Sequence, residues 1–442
     1  MKWSKFNYLY FSKKHNLQLL YNSLSNVFIN IDKYLTFKLL QEFRNRQDDS
    51  IFENHLNLYK ELQQSKIIVE SDEAEILKIK YQVLANRYSA NTVALTVLPT
   101  LSCNFRCPYC FVSENGQEFM TTSSCQIVLK HISNLSNNNK KTLLNLTWMG
   151  GEPLLNFAII KEMTTSIKKM AEIDLKAHLV TNGYLMDKEK ILLFKDLNIV
   201  LTQVTIDGIG EQHNKTRIHK ADSNSFDKII SNLDVFFKIY NKKNDPAINV
   251  RINLEKQSNY ISKFLTTFDY LHKRYPHDNL YITPGFIEDI KGNGKNIECE
   301  FDRNEMVKFF LEVKKRGINI PIYPKNKIYE CAVRSYGDFV IGPKGELYSC
   351  WEHIGYDDSI IGHLNEDGEP IITNELKFLR YLTDADYLDD KQCLECFFFP
   401  ICVGGCPEKR IRNKHCNACF DVCVLQKENI EEILDFQYEI KK

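Results

Sequence analysis

Apolar runs typical of buried strands alternate with longer amphipathic stretches typical of helices from residue 92 to about 322. The predicted strands are Val93–Leu98, Leu144–Met149, Ala177–Val180, Ile199–Ile206, Ile248–Leu254 and Leu280–Pro284. The segments Ile159–Ala171 and Phe226–Tyr240 are examples of the helices between them. Six β-then-α units predict an α/β fold with a parallel sheet, and six could form a partial (β/α)6 TIM-like barrel. A doubly wound open sheet fits the same alternation.

The N-terminal segment has a different pattern, which predicts a small α+β unit. Its predicted strands and helices are Tyr8–Phe11, Leu17–Tyr21, Val27–Ile31, the helices Leu35–Arg44 and Ile51–Gln64, and a closing strand at 66–69. After residue 325 the predicted strands are short, and Gly and Cys recur. The apolar residues of this segment are too few for a stable core of its own, so we expect bound metal to stabilise it. We therefore predict three domains, at 1–90, 91–325 and 326–442.

Composition excludes several classes of protein. The 442 residues carry 57 Lys and Arg against 57 Asp and Glu, whereas a general nucleic-acid binder would carry a basic excess. A hydrophobic fraction of 43% is enough for sizeable cores. No apolar run approaches the ~18 residues that span a bilayer, and the N-terminus lacks a signal-peptide core. We expect a cytoplasmic protein with neither nucleic acid nor membrane as a partner.

Fourteen cysteines then need an explanation, because disulfides are rare in the cytoplasm. Nine of them lie between Cys331 and Cys423, and Cys125 and Cys299 stand apart. The other three, Cys103, Cys107 and Cys110, follow the first α/β strand with C-x3-C-x2-C spacing. Three thiolates on one loop can hold three irons of a four-iron cluster and leave the fourth iron open to a ligand. Buried thiols or a partial zinc site are the alternatives, although the nearest His, His131, lies in a predicted helix.

This loop, with Tyr109 before its last cysteine, resembles the hallmark of the radical S-adenosylmethionine (SAM) enzymes. Gly150-Gly151-Glu152-Pro153, at the end of the second strand, resembles the family motif that holds the amino group of the methionine moiety. The glycines would allow close approach to the ligand, and Glu152 would accept from its ammonium.

The resemblance extends to later strand ends. Thr181-Asn182 and Asp207 follow the third and fourth strands, where the family presents polar groups to the cofactor. Ordinary turn chemistry explains the same residues. Arg217 matches an arginine that many relatives place near the SAM carboxylate, and a solvated surface arginine is the alternative.

The resemblance implies a [4Fe-4S] cluster that reductively cleaves SAM to a 5′-deoxyadenosyl radical, which abstracts hydrogen from substrate. The enzyme would be an oxidoreductase supplied by a flavodoxin- or ferredoxin-type electron donor. No protein general base is assigned.

The C-terminal cysteines fit every spacing of the SPASM auxiliary-cluster domain: Cys331-x13-Gly345-x4-Cys350, then Cys393-x2-Cys396-x5-Cys402-x3-Cys406, and a late cysteine. This resemblance implies one or two auxiliary [4Fe-4S] clusters. The implied inner ligands are Cys331, Cys350 and Cys406. The implied outer ligands are Cys393, Cys396, Cys402 and, by its gap from Cys406, Cys423.

Several points stay open in this cysteine field. Cys416 and Cys419 are rivals to Cys423 as the late ligand, and Cys299 is a candidate fourth ligand of the inner cluster, which otherwise is open to substrate. The pairs Cys393-x2-Cys396 and Cys416-x2-Cys419 also satisfy a zinc-ribbon spacing.

The segment Leu17–Val69 resembles the winged-helix element that recognises precursor peptides in ribosomal peptide maturases. Such an element would bind the leader as an added strand, through main-chain hydrogen bonds. A winged helix can instead bind DNA, but the predicted second helix region carries Glu53, His55 and Glu61 rather than concentrated Lys and Arg. A purely structural cap is the third possibility.

These resemblances imply a maturase that installs a thioether or carbon–carbon crosslink in a ribosomal precursor peptide. The alternative is an anaerobic sulfatase maturase that forms formylglycine from Cys or Ser. Relatives of that kind carry an Asp base after the equivalent of Cys350, where this chain has Trp351 and then Glu352, the candidate substitute. A non-enzymatic iron–sulfur or zinc scaffold is the remaining alternative.

Overall fold

The computed structural model describes residues 1–31, 34–89, 91–112, 118–135, 141–288, 301–318, 320, 331–423 and 429–441. The chain forms two compact units. The first comprises Met1–Tyr88, Asp302–Arg334 and Thr383–Lys442, and the second comprises Ser89–Phe301 and Ser335–Leu382. The N-terminal segment thus forms one unit with two later segments. The functional domains expected at 1–90, 91–325 and 326–442 stay a prediction.

The elements of both units, taken along the chain, are as follows. The strands are β1 (Lys2–Trp3), β2 (Asn7–Ser12), β3 (Leu17–Asn22), β4 (Val27–Asn30), β5 (Ile68–Val69), β6 (Thr92–Thr100), β7 (Thr142–Gly150), β8 (Ile173–Thr181), β9 (Ile199–Thr205), β10 (Ala247–Leu254), β11 (Leu280–Phe286), β12 (Phe339–Ile341), β13 (Glu346–Tyr348), β14 (Gly362–Leu364) and β15 (Pro370–Ile372). The α-helices are α1 (Tyr34–Arg46), α2 (Leu56–Gln64), α3 (Asp72–Arg87), α4 (Thr122–Asn134), α5 (Phe157–Ile167), α6 (Lys188–Leu193), α7 (Glu211–Thr216), α8 (Ser225–Ile239), α9 (Tyr260–Arg274), α10 (Arg303–Lys315), α11 (Glu375–Thr383), α12 (Lys391–Leu394), α13 (Phe399–Cys402), α14 (Pro407–His415) and α15 (Ile430–Lys441).

The second unit is built on one sheet, in the order β11-β10-β9-β8-β7-β6-β12-β13-β14-β15. The six strands β6 to β11 pair in parallel with their neighbours in sequence. Sequential order is that of a (β/α) barrel wall, whereas a doubly wound sheet reverses its order at a switch point. All six strands predicted from the sequence are confirmed, and their order favours the partial barrel.

Strands β7, β8 and β10 each have one fully buried side. On β10, Ile248, Val250, Ile252 and Leu254 are buried, while the alternate polar residues are half-buried. Helix α8 buries Ile229, Leu233 and other apolar residues. Because the carboxyl ends of parallel strands share one edge, the loops that follow β6 to β9 collect there.

The first unit contains the three-stranded antiparallel sheet β2-β3-β4. One of its cores combines Tyr10, Leu19 and Tyr21 of this sheet with Ile433 and Leu434 of α15. A second core contains Leu20 of β3 with residues of α1 and α2. The two cores bury alternate residues of β3, so both faces of this sheet are covered.

The N-terminal prediction needs one correction. The helix expected over Ile51–Gln64 is broken: a 3-10 turn spans Asp49–Phe52, capped by Asp48, and α2 starts only at Leu56. Helix α3 was not predicted; Ser71 caps it by accepting from the Ala74 N–H. Among the described residues, the chain offers no helix with the length and apolarity of a bilayer span.

Candidate functional site

The loop after β6 carries Cys103, Cys107 and Cys110 at the carboxyl edge of the sheet. Cys103 and Cys107 are half-buried and Cys110 is exposed. Burial, together with the neighbouring charges of Glu152, Cys107 and Cys110, raises the pKa of the Cys103 thiol to about 12. The Cys110 N–H donates to Cys107 O at 3.1 Å, so these two predicted ligands lie in one turn of the loop.

Backbone and amide groups face the sulfur of Cys103. The Phe105 N–H donates to Cys103 Sγ at 3.3 Å, and Asn182 Nδ2 lies 4.0 Å from the same sulfur. Asn182 also donates to Asn104 Oδ1 at 2.8 Å. Hydrogen bonds to ligand sulfurs are one means by which proteins tune iron–sulfur clusters. Asn182, predicted as a cofactor contact, thus lies beside the cysteine loop.

Gly150 and Gly151 let the end of β7 lie directly against this loop. The N–H of Gly151 donates to Thr100 O at 3.1 Å, and the N–H of Glu152 donates to Ser102 O at 2.8 Å. A Cβ at Gly151 would lie 2.3 Å from Ser102 O, and one at Gly150, where φ is +138°, would lie 2.2 Å from Thr100 O. These glycines therefore serve close packing of backbone on backbone.

Glu152 is fully buried, and its carboxylate ties β7 to β8. It accepts from Thr181 Oγ1 at 2.8 Å, from the Asn182 N–H at 2.8 Å and from the Leu154 N–H at 3.0 Å. Burial raises the pKa of Glu152, although these hydrogen bonds oppose the shift. Three of about four acceptor positions of the carboxylate are used within the chain. Glu152 positions the ends of β7 and β8, and its contact with a SAM ammonium stays a prediction.

Tyr109 lies at the centre of a buried polar network. Its hydroxyl donates to Asp207 and accepts from Arg217 Nη1 at 2.9 Å. Thr216 Oγ1 also donates to Asp207 at 2.9 Å, and Asn253 Nδ2 donates to the Tyr109 hydroxyl at 3.3 Å. Arg217 is only 9% exposed, which excludes the surface interpretation. The sequence analysis did not predict Thr216 or Asn253 as site residues. The position of Asn253 near the carboxyl end of a predicted strand could have indicated it, whereas Thr216 had no such signal.

Main-chain pairing explains why Arg217 reaches the loop. The N–H of Arg106 donates to Ile218 O, and the N–H of Lys220 donates to Asn104 O, both at 2.9 Å. The segment after Arg217 thus runs beside the cysteine loop.

A second group of residues that the sequence did not indicate adjoins this segment. The rings of Tyr184 and His219 stack at 4.1 Å, and the Tyr184 hydroxyl donates to Asp222 at 2.9 Å.

Within the described residues, three buried polar atoms of this site have no hydrogen-bond partner: Asn104 Nδ2, Asp207 Oδ1 and Arg217 Nε. An unsatisfied buried polar group costs about 1–3 kcal/mol. A zwitterionic ligand offers both the donors and the acceptors that these atoms need. The residues present therefore fit SAM beside a cluster held by Cys103, Cys107 and Cys110.

The first unit contains a separate cavity of about 120 Å³. Cys393, Cys396, Cys402 and Cys423 line it, whereas Cys416 and Cys419 do not, although all three late cysteines are exposed. Burial raises the pKa of the Cys402 thiol, and the nearby Cys396 and Cys423 add to the rise. This volume is well above the roughly 10–15 Å³ that one water molecule needs in a cavity. These four cysteines, the predicted outer set with Cys423 as the late ligand, fit a group larger than a single ion.

The ligands predicted for the inner auxiliary cluster are not brought together within one unit. Cys331 and Cys406 belong to the first unit and Cys350 to the second, so the inner set stays a prediction. Cys299 lies outside the described residues. In the described ranges, no three His, Cys, Asp or Glu side chains are placed to hold a single metal ion. Glu352 is half-buried in the short turn Trp351–His353, and Cys125 is a buried thiol on α4.

A family model described as the Radical SAM superfamily matches residues 97–252. A cysteine-type anaerobic sulfatase-maturating enzyme of Clostridium novyi is 24% identical over 343 residues, covering 74% of this chain and 90% of its own. Native anSMEcpe with bound AdoMet and Cp18Cys peptide has a similar fold, with a TM-score of 0.58 and 18% identity, over 79% of this chain and 99% of its own. Streptococcus suis SuiB bound to precursor peptide SuiA gives a TM-score of 0.51 and 14% identity, over 92% of this chain and 95% of its own. Residues 97–252, with the cysteine loop and the polar network at their strand ends, are therefore a Radical SAM domain.

Proposed function

We propose that this chain is a radical SAM peptide maturase that installs a thioether or carbon–carbon crosslink in a ribosomal precursor peptide. The observation that carries this proposal is the sheet β2-β3-β4, whose two faces are covered by cores. Within the described residues this sheet has β2 and β4 as its edges. An extended leader pairs with such an edge through main-chain hydrogen bonds. SuiB, which was solved with a precursor peptide, matches 92% of this chain against 79% for anSMEcpe.

The residues of the Radical SAM domain have distinct roles in this proposal. Cys103, Cys107 and Cys110 would hold the [4Fe-4S] cluster, which with bound SAM supplies radical hydrogen-abstraction chemistry. Arg217 would donate from Nε to the carboxylate of the ligand, and Asp207 would accept at Oδ1 from its ammonium; neither atom has a hydrogen-bond partner among the described residues. Tyr109 fixes both side chains by its hydroxyl. Preorganised charges of this kind hold a ligand without reorganisation during the reaction.

The auxiliary cysteines belong to the same proposal. The outer set of Cys393, Cys396, Cys402 and Cys423 lines one cavity and would hold an auxiliary cluster. Cys331, Cys350 and Cys406 would hold the inner one. A flavodoxin- or ferredoxin-type donor would supply the electron for SAM cleavage.

The second candidate function is formylglycine formation, which the similarity to the Clostridium novyi enzyme favours. The residue after Cys350 is Trp351, whose indole Nε1 donates to Thr96 Oγ1 at 2.9 Å. An indole is a donor only and accepts no proton. A base in this chain would therefore have to be Glu352, so the peptide crosslinking reaction is preferred.

The test is a reaction of the anaerobically reconstituted enzyme with SAM and a reductant on two peptides. One is the small peptide encoded beside the gene, and the other is a Cys-containing sulfatase peptide. We expect the first peptide to lose two hydrogens by mass spectrometry and to remain unmodified with the Cys103→Ala enzyme. An aldehyde on the sulfatase peptide with an unmodified precursor peptide would favour the second function, and zinc without labile sulfide would exclude both.

A further inference from the structure

Among the described residues that line the cavity of the four outer cysteines, one side chain is cationic. Arg410 of α14 is 11% exposed, and all three nitrogens of its guanidinium are engaged. Nη2 lies 2.8 Å from Cys393 Sγ, Nη1 donates to Asp390 Oδ2 at 3.1 Å, and Nε donates to Gly404 O at 2.7 Å. The planar fork is therefore fixed with one edge toward a cysteine sulfur.

The partners of Arg410 are themselves fixed by local structure. Asp390 caps α12 by accepting from the N–H groups of Gln392 and Cys393, at 2.9 Å and 3.4 Å. Gly404 has a φ of +78°, and a Cβ there would lie 2.4 Å from the ring of Tyr387. The turn before α14 thus needs glycine, and it presents the Gly404 carbonyl to Arg410. Asp390, Arg410 and Cys393 form a rigid group.

The charge of Arg410 acts on the sulfur in a definite direction. With Nη2 2.8 Å from Cys393 Sγ, the guanidinium cation stabilises negative charge on this sulfur. An arginine keeps its proton in proteins, so the cation persists in every redox state of a bound cluster. Reduction adds one negative charge to a cluster, and a neighbouring cation that donates to a ligand sulfur stabilises the reduced form.

We infer that Arg410 is a positioning residue that raises the reduction potential of the outer auxiliary cluster by donating a charged hydrogen bond to Cys393. Asp390 orients the guanidinium and, as an anion beside the same sulfur, partly offsets its effect. The inference rests on the proposed function, because it requires a cluster on Cys393, Cys396, Cys402 and Cys423. Arg410 would thus help to set the reduction potential of this cluster, although the spacing of the cysteines does not indicate it.

The test is a redox titration of reconstituted full-length protein, followed by electron paramagnetic resonance. Cys103, Cys107 and Cys110 are replaced by Ala in every variant, so that the auxiliary signals are read alone. In Arg410→Gln we expect the ratio of reduced to oxidised outer cluster at a fixed potential to fall about tenfold, which is ~59 mV for one electron. Arg410→Lys keeps the charge without the fork and should give a smaller fall. Arg412→Gln, on the same helix but outside the cavity lining, should leave the ratio unchanged.

Asp390→Asn provides an independent test with the opposite sign. Asn remains a good helix cap and keeps an oxygen to accept from Arg410, while the anion is removed. The ratio of reduced to oxidised cluster should therefore rise. An unchanged ratio in both Arg410→Gln and Asp390→Asn, with normal iron and sulfide content, overturns the inference alone. Absence of iron and labile sulfide from the outer site of otherwise unaltered protein overturns the proposed auxiliary cluster itself.

Discussion

Arg217 Nη1 donates to the hydroxyl of Tyr109 at 2.9 Å, which ties the aromatic residue of the cysteine loop to the segment that follows α7. Burial raises the pKa of Tyr109, so the hydroxyl stays protonated. It donates a hydrogen bond to the carboxylate of Asp207. One phenol thereby separates and orients a buried cation and a buried anion. Arg217 Nε and Asp207 Oδ1 have no partner in the described part of the chain, so this pair is suited to hold a zwitterion.

Replacing Tyr109 by Phe tests this arrangement, because the ring stays and only the hydroxyl is lost. Arg217 and Asp207 each lose a hydrogen-bond partner, at a cost of about 1–3 kcal/mol for a buried group. We expect SAM affinity, measured by calorimetry on reconstituted protein, to fall about tenfold for a loss of 1.4 kcal/mol. Tyr81→Phe, at a side chain that is 74% exposed, is the control. Equal affinity in Tyr109→Phe and wild type would mean that the network does not position SAM.

A second prediction concerns the packing of β7 on the cysteine loop. In Gly151→Ala the new methyl group would lie 2.3 Å from Ser102 O, so the backbone before Cys103 must move. We expect this variant to retain less iron and sulfide on the three-cysteine loop after reconstitution. Gly337→Ala is the matched control in the same unit, because nothing lies within 4 Å of its added Cβ. Equal cluster content in the two variants would show that the loop tolerates the displacement.

A third prediction separates the loop cysteines from the other thiols. Replacing Cys103, Cys107 or Cys110 by Ala would remove one of the three proposed iron ligands, so 5′-deoxyadenosine formation should fall to background by liquid chromatography. Cys125→Ala should retain it, since Cys125 is a buried thiol of α4 outside the C-x3-C-x2-C loop. Undiminished 5′-deoxyadenosine in any of the three loop variants would remove that residue from the mechanism.

The sequence predicted the parts of the molecule that depend on local pattern. Apolar runs that alternate with amphipathic stretches located β6 to β11, and the spacing of cysteines indicated the loop at Cys103 and the four cysteines that line one cavity. Partners that only the tertiary fold brings together were missed. Asn253 reaches Tyr109 from a strand 144 residues later, and Arg410 meets Cys393 across a 17-residue separation. The break before α2 was missed because hydrophobic periodicity continues through the 3-10 turn that Asp48 caps.

The last prediction addresses leader binding, and the structure determines how it must be tested. Removing the N-terminal segment would expose Ile433 and Leu434, which pack on Tyr10 and Leu19, so loss of binding by a truncated chain would not identify a leader site. Hydrogen–deuterium exchange on the intact protein avoids this difficulty.

Adding the precursor peptide should slow amide exchange in an edge strand, either β2 or β4, because a paired leader supplies new acceptors to outward-facing N–H groups. The central strand β3 already pairs on both sides and should change little, so it serves as an internal control. A peptide with a scrambled leader controls for non-specific binding. Exchange that is unchanged in both edge strands, at peptide concentrations that saturate modification, would refute β-augmentation as the mode of recognition while leaving the radical chemistry of the second unit unaffected.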